Sequence, residues 1–568
     1  MRGASAAEED PLVALQDAVV KRGGKHGTDT STTSSASATT GSSERVEKHL
    51  STILGAGANL SNDIVGAAIA GIPFGVASCG LITGIAMIVV CGWLADKSLN
   101  ILFRCAQKAR VPNYESLAEI VFGRLGFWWV ALSMTAASYG TVVGYLMMMK
   151  DTLPYCFGIV DPNQRDLFLL VISLTVMVPV SSQRDMADLS ITSRINIVCC
   201  VIITAIVVYL SPIQATVETN GGLWQVVGSS VVHPSTLFAG IGICSFSYMV
   251  QQSSMLIAGS LRDPTKERWQ EVTSRSIILC IVLLSICGGA GYLGFMGNTK
   301  GNILDNFNPK DPLANIGRGL LGVVMFFIYP IEAHVLRHLV VVVFFPNPDG
   351  EYPSVLYNDW KRIGLTLAVY VWVMIPAVMF RNLGPVLSLT GTIGGSFLSY
   401  MGPGAVYIGL HGQRFLELSG QFFGSDTATD TKKVKETNIY DGGLYSIRPK
   451  GIDLTKSIVW CLVGMPIWSR IAAMGSRSIA NHTQQHQEDT REEAQEEGQL
   501  TTQSDSAVYG SMANDQSVSG LGVIDNTEQA QVGDFGVAIF LVVFGAVALV
   551  AGTTSVWSQV TSTSQTSN

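Results

Sequence analysis

The chain has 568 residues, 48% of them hydrophobic and 14% charged, with a mean hydropathy of +0.35. A soluble domain carries roughly a quarter charged residues, so this composition excludes a soluble globular protein and implies many membrane spans. The formal net charge of −7 comes from acids gathered around residues 485–530, a distribution that gives no sign of nucleic-acid binding.

Residues 1–50 are polar, with a Ser/Thr/Ala tract around 28–43, and lack the apolar core of a signal peptide. They are expected to form a disordered cytosolic tail. A span needs about 20 mostly apolar residues. Eleven segments qualify, at roughly 53–78, 81–105, 127–150, 166–183, 190–210, 235–258, 276–297, 319–345, 362–381, 384–411 and 533–557. Loops 2–3, 4–5 and 6–7 carry Lys108, Arg110, Arg124, Arg184, Arg262, Lys266, Arg268 and Arg275. Loop 5–6 and the tail 558–568 carry no Lys or Arg. The positive-inside rule then puts the N-terminus in the cytosol and the C-terminus on the far side. Loop 7–8, with Lys300, Lys310 and Arg318, is the exception.

Between spans 10 and 11 lies an insertion, residues 412–532, expected to be cytosolic and largely disordered, above all over 480–530. Within it, 457–474 is short, apolar and flanked by basic residues, which suits an interfacial or re-entrant helix and leaves a twelfth span open. The glycosylation sequon Asn481-His482-Thr483 would be idle on the cytosolic side. The ten cysteines fall mostly in apolar runs without zinc or redox spacing, so they read as small buried hydrophobes.

The first span departs from an ordinary apolar helix. Asn59-Leu60-Ser61-Asn62-Asp63-Ile64-Val65-Gly66-Ala67-Ala68-Ile69-Ala70-Gly71-Ile72-Pro73 holds an acid, two asparagines, two glycines and a proline. Such polar content persists in a bilayer only where it faces protein or a water-filled cavity. Transporter folds built from two inverted halves interrupt the first helix of each half. Span 6 meets that expectation, with Gly240 and Gly242 followed by the polar run Ser245-Phe246-Ser247-Tyr248-Met249-Val250-Gln251-Gln252-Ser253-Ser254. Close packing of two helices through small residues would explain the glycines, but not Asp63 or the paired glutamines.

On these residues the chain resembles the amino acid/auxin permease family, and its Asn59-Leu60-Ser61-Asn62 opening is closest to the sodium-coupled neutral amino acid transporter branch. Further matches are Gly144-Tyr145 with Asp151 and Pro154, Pro179 through Arg184, Leu189, Thr192 and Ser193, Leu261-Arg262-Asp263-Pro264, Gly291-Tyr292-Leu293-Gly294-Phe295, Gly391 and Pro403. The resemblance covers roughly 50–411 and 533–557. It implies an all-α integral membrane protein with the leucine-transporter (amino acid–polyamine–organocation) fold. That fold is a 5+5 inverted repeat, here with one extra C-terminal helix.

It also implies an amino acid as the small-molecule substrate. The α-carboxylate needs donors, which amides of Gly66, Ala67 and Ala68 at a half-helix start would supply. The α-ammonium needs acceptors, which freed carbonyls near Asn62 and near Phe246, Ser247 and Tyr248 would supply. Phe246 and Tyr248 would cover the substrate side chain, or else serve as packing.

The departures from the family concern the coupling ion, H+ or Na+, the one co-factor implied. Asp63 stands where the branch has a small residue, so it is either a proton-exchanging group or a hydrated carboxylate paired with Arg184 or Arg194. Asn62 matches a position implicated in sodium binding, yet the span-8 hydroxyl partner is missing from Leu321-Gly322-Val323-Val324-Met325. Gln251 replaces the family's span-6 histidine. Glu332, at a commonly basic position, would relay protons or, as favoured here, pair with a basic residue such as Arg337. The balance leans to proton symport.

The sequence therefore supports a secondary active transporter of neutral amino acids, multi-pass in the plasma or a vacuolar/lysosomal membrane. A transporter-like sensor signalling through its long loops is the alternative. The sequence shows no nucleophile–base set, metal motif or phosphate loop, so an enzyme is not expected; it is silent on oligomeric state.

Overall fold

A computed structural model describes residues 51–109, 111, 113–182, 189–229, 231–344, 359–411 and 532–566. The expectations for residues 1–50, for the insertion and for its 457–474 segment lie outside the described residues. Those described are helical or connecting, with a single isolated β-bridge, Ser51 to Leu261. Among the described residues eight helices are long and apolar enough to cross a membrane, and nine if the bent first helix counts as one; the stretches Leu237–Gly259 and Leu383–Leu410 are divided into shorter helices and fall outside that count.

In chain order the spans are Ile53–Cys79, Leu81–Ala109, Arg124–Cys156, Pro162–Ser181, Leu189–Leu210, Leu237–Ser247 with Gln251–Gly259, Lys266–Phe295, Pro312–Phe344, Asp359–Met379, Leu383–Leu410 and Val532–Thr566. This is two sets of five, the first member of each interrupted, and one further helix, as expected of the leucine-transporter fold.

Several helices outrun their apolar stretch because polar caps extend them. Span 7 begins at Lys266, where the Thr265 hydroxyl accepts from the Arg268 amide at 3.4 Å. Span 8 begins at Pro312 because Asp311 Oδ1 accepts from the amides of Leu313 and Ala314, at 2.8 and 3.0 Å. Such N-caps satisfy amides that hydropathy does not register. Span 11 runs on to Thr566, through residues expected to be a tail.

The chain divides into two units. The smaller contains Cys105–Phe127 and Val406–Val537 among its segments. Within it the Tyr407 hydroxyl donates to Asp534 at 3.4 Å, and Phe535 meets the Tyr407 ring edge-on at 5.3 Å. The larger unit, Arg45–Arg104, Trp128–Ala405 and Ala538–Asn568, contains the interrupted helices.

In that unit span 7 lies along span 1 through a polar stripe. Ser276 Oγ donates to the Gly57 carbonyl at 3.0 Å, Cys280 Sγ to Ser61 at 3.8 Å and Cys287 Sγ to Ile69 at 3.4 Å. The last contact has a specific cause. Pro73 has no N–H, so the Ile69 carbonyl four residues earlier loses its helical donor, and the thiol takes its place. Most described cysteines are buried, Cys156 being the exception; Cys461 lies outside the described residues.

Loop 7–8, the exception to the charge rule, has a structural explanation. Arg318 is fully buried and donates to the carbonyls of Leu304 and Phe307 at 2.8 and 2.9 Å, with its guanidinium 4.7 Å from the Tyr155 ring centre. Lys300 Nζ donates to the Asp305 carbonyl at 3.0 Å. Both cations tie the loop down rather than mark its side of the membrane. Lys150 caps span 9 in the same way, donating to the carbonyls of Ala377 and Phe380 at 2.5 and 2.9 Å.

Candidate functional site

The two interrupted spans differ in how they are interrupted. Span 1 stays helical throughout but bends by 51° between Ile53–Gly66 and Ala68–Cys79. The half-helix start expected at Gly66, Ala67 and Ala68 is therefore a bend, with no unwound turn. Span 6 does break. Helix Leu237–Ser247 stops, Tyr248–Val250 leave helical geometry, and a second helix starts at Gln251. The Ser247 carbonyl, which a continuous helix would bind to the Gln251 amide, has no backbone partner among the described residues. At one end spans 1 and 6 are stitched together. The Ser51 amide donates to the Ser260 carbonyl at 2.7 Å and the Arg262 amide to Ser51 at 3.0 Å.

A polar cavity lies where the bent and broken helices meet spans 3 and 8. Its lining is Asp63, Thr141, Tyr145, Phe246, Met249, Gln252 and Glu332, and its volume of about 10 Å³ has room for one water-sized particle. The Ser253 hydroxyl donates to Asp63 Oδ2. Gln252 Nε2 lies 3.3 and 3.4 Å from the two Glu332 oxygens, which fixes Gln252 Oε1 as a buried acceptor without a partner among the described residues. Glu332 is 2% exposed and Gln252 6%. Among the described residues neither Asp63 nor Glu332 forms an ion pair.

The structure brings Asp63 and Phe246 of the expected site to this cavity and sends the others elsewhere. Asn62 is buried beside span 5, its Nδ2 donating to Ser193 Oγ at 3.4 Å. Gly66 faces span 8, where an added Cβ would sit 2.8 Å from Ile328 Cδ1 and 3.6 Å from Val324 Cγ1. Ala68 is buried, and Ala67 sits at the bend. The Ser247 hydroxyl is spent on the Ile243 carbonyl at 3.1 Å. Tyr248 is fully buried, with Cζ 3.1 Å from the Cβ position of Gly92 in span 2, so it packs between helices instead of covering a substrate.

Gln251 is also away from the cavity. It donates to Ser98 of span 2 at 3.2 Å and accepts from Ser399 of span 10 at 2.6 Å, which makes it a cross-link. Its neighbour Gln252 holds the place expected of it, because consecutive residues on a helix point about 100° apart.

The ion pair favoured for Glu332 is not formed. Arg337 donates instead to the Ser181 carbonyl at 2.8 Å and to Thr366 Oγ1 at 2.9 Å. For Asp63 the suggested partner Arg184 lies outside the described residues and Arg194 is exposed. Sequence reasoning noticed Gln252 and Glu332 without joining them. It missed Thr141, Tyr145 and Ser253, whose only signal is being polar or aromatic at mid-span, and Met249, which carries no such signal.

Residues 49–424 match the family model described as transmembrane amino acid transporter protein. A Rattus norvegicus protein provisionally named sodium-coupled neutral amino acid transporter 11 is 26% identical over 359 residues, 62% of this chain and 76% of its own. Vacuolar amino acid transporter 2 of Saccharomyces cerevisiae is 25% identical over 356 residues, 61% of this chain and 74% of its own. Among solved structures, a Na+-coupled sialic acid symporter aligns over 75% of this chain and 88% of its own, at 12% identity and a TM-score of 0.46.

Proposed function

This chain belongs to the transmembrane amino acid transporter family, and from that premise we propose that it is a secondary active carrier of neutral amino acids, working by alternating access with a proton as coupling ion. The observation that carries the proposal is the polar cavity at the bend of span 1 and the break of span 6, with Asp63 at its edge. Bent and broken helices at mid-membrane are where secondary transporters bind substrate. In this reading the α-ammonium docks on the Ser247 carbonyl, which has no backbone partner among the described residues.

A proton is favoured over sodium because the span-8 residues beside Gly66 are Val324 and Ile328, which offer no hydroxyl oxygen. Asp63 has a serine as its partner and exchanges a proton without breaking an ion pair. The rat relative's name supports neutral substrates and the yeast relative's name a vacuolar membrane. The loop charges favour a cytosolic N-terminus.

The test is uptake of labelled neutral amino acids into proteoliposomes under an imposed pH or sodium gradient. Uptake driven by the pH gradient is expected. Binding with no flux under either gradient would overturn the carrier and favour a sensor.

A further inference from the structure

A neutral amino acid brings no net charge, yet the cavity presents two carboxylates. Asp63 from span 1 and Glu332 from span 8 line the same small space with Gln252, Thr141 and Tyr145, and among the described residues no basic side chain lines it. In a low-dielectric site two facing carboxylates do not both ionise without a counter-charge. One proton or one cation supplies it. The buried, partnerless Gln252 Oε1 adds a third acceptor, so the lining has an excess of acceptors over donors.

We propose that this cavity is a subsite for the side-chain ammonium of a diamino acid, lysine or ornithine, which enters in place of the coupling proton. The inference rests on the amino acid carrier reading and extends it to a second substrate class.

Size and geometry carry it. The cavity has room for one water-sized particle, about 10 Å³, and an ammonium group is of that size, with three donors for acceptors converging from several sides. A planar guanidinium is larger and presents its donors in one plane, which disfavours arginine. Asp63 lies one helical turn from the span-1 bend, and Phe246 of the lining adjoins the span-6 break. A substrate held by its α-groups there has the cavity within reach of its side chain. Neutral amino acid plus proton, and diamino acid alone, then carry the same net charge of one through the same site.

The test uses the full chain in liposomes with a pH dye inside. With glutamine, uptake should acidify the lumen. With lysine or ornithine, uptake should follow an inside-negative potential without acidification, and arginine should be about tenfold slower or worse, the loss expected for one charge-assisted hydrogen bond. The stoichiometry needs no variant. Glu332→Gln should lower lysine uptake relative to glutamine uptake by about tenfold or more on the same grounds.

Lysine uptake that acidifies the lumen as glutamine does, absence of lysine uptake while glutamine is carried, sodium dependence of the lysine flux, or an equal loss of both fluxes in E332Q would overturn the subsite. If no amino acid crosses at all, the carrier reading falls. The subsite is then judged by whether lysine raises the melting temperature of the wild type and not of E332Q; no rise in the wild type would overturn it.

Discussion

At the scale of single residues, the membrane interior turns each polar side chain into a question of partners. Asp63 finds Ser253, Glu332 finds Gln252, and Gln251 finds Ser98 and Ser399. Only the first two pairs face a cavity. Asp63→Asn should therefore flatten the pH dependence of amino acid uptake, measured as initial rates across roughly pH 5–8. An unchanged profile would remove Asp63 as the coupling group.

Asp305 makes a second prediction, in the loop outside the spans. Burial, reinforced by the Asp151 charge, pushes its carboxyl up to about 8, against the opposing pull of Lys300, Arg318 and Arg165. An acid whose folded-state value is raised binds more protons folded than unfolded, so its ionisation costs stability progressively from the unfolded value upward and levels off above about pH 8. Asp305→Asn should raise the melting temperature over wild type at pH 8, with the difference vanishing towards the ordinary carboxyl range. A difference independent of pH would show that the gain comes from packing.

At the scale of elements, glycine decides which helices approach. Gly391 of span 10 lies so close to span 6 that any Cβ there would overlap the Gly242 carbonyl oxygen and crowd the Phe246 backbone. Backbone cannot yield as a side-chain tip does. Gly391→Ala should thus cost about 2–3 kcal/mol as an overpacked contact, read as a lower melting temperature. Gly66→Ala meets only the end of Ile328 and should cost clearly less. Equal losses would mean that the span 6–span 10 contact relaxes freely.

The same packing explains why span 10 adopts a π-helical turn over Gly391–Met401. Span 6 presses one side of that stretch, while Gly545 and Gly552 of span 11 sit against Ser396 and Thr392 on another. A widened turn absorbs such crowding, and π segments concentrate near functional sites. Hydropathy registers this span as apolar and says nothing of its register.

At the scale of the whole molecule, the eleven spans expected from the sequence imply termini on opposite sides of the membrane. Tags at the two ends of the chain, probed in sealed vesicles of one orientation, should show opposite protection from added protease; like protection would require an even number of crossings. The order of spans was legible in the sequence because a bilayer imposes a length of apolar residues on each helix. The interruptions of spans 1 and 6 were legible because glycine, proline and polar residues there conflict with that rule.

The site was legible only in part. Asp63 and Phe246 were expected in it and line its cavity, while Gln251 and Tyr248 were expected there and pack between helices. Sequence gives the neighbours along a helix, but which of two adjacent glutamines faces a cavity depends on the helix's rotation, and that is set by the break at Tyr248–Val250.

The sequence by itself determined that this protein is a polytopic helical membrane protein with two weak points in its spans, because apolar length and polar interruption are local properties. Only the tertiary structure decided that Glu332 meets Asp63's cavity instead of Arg337, that span 1 bends where span 6 breaks, and that Arg318 anchors a loop. These depend on which side chains converge across helices far apart in the chain, where each buried charge must find whichever partner the packing brings to it.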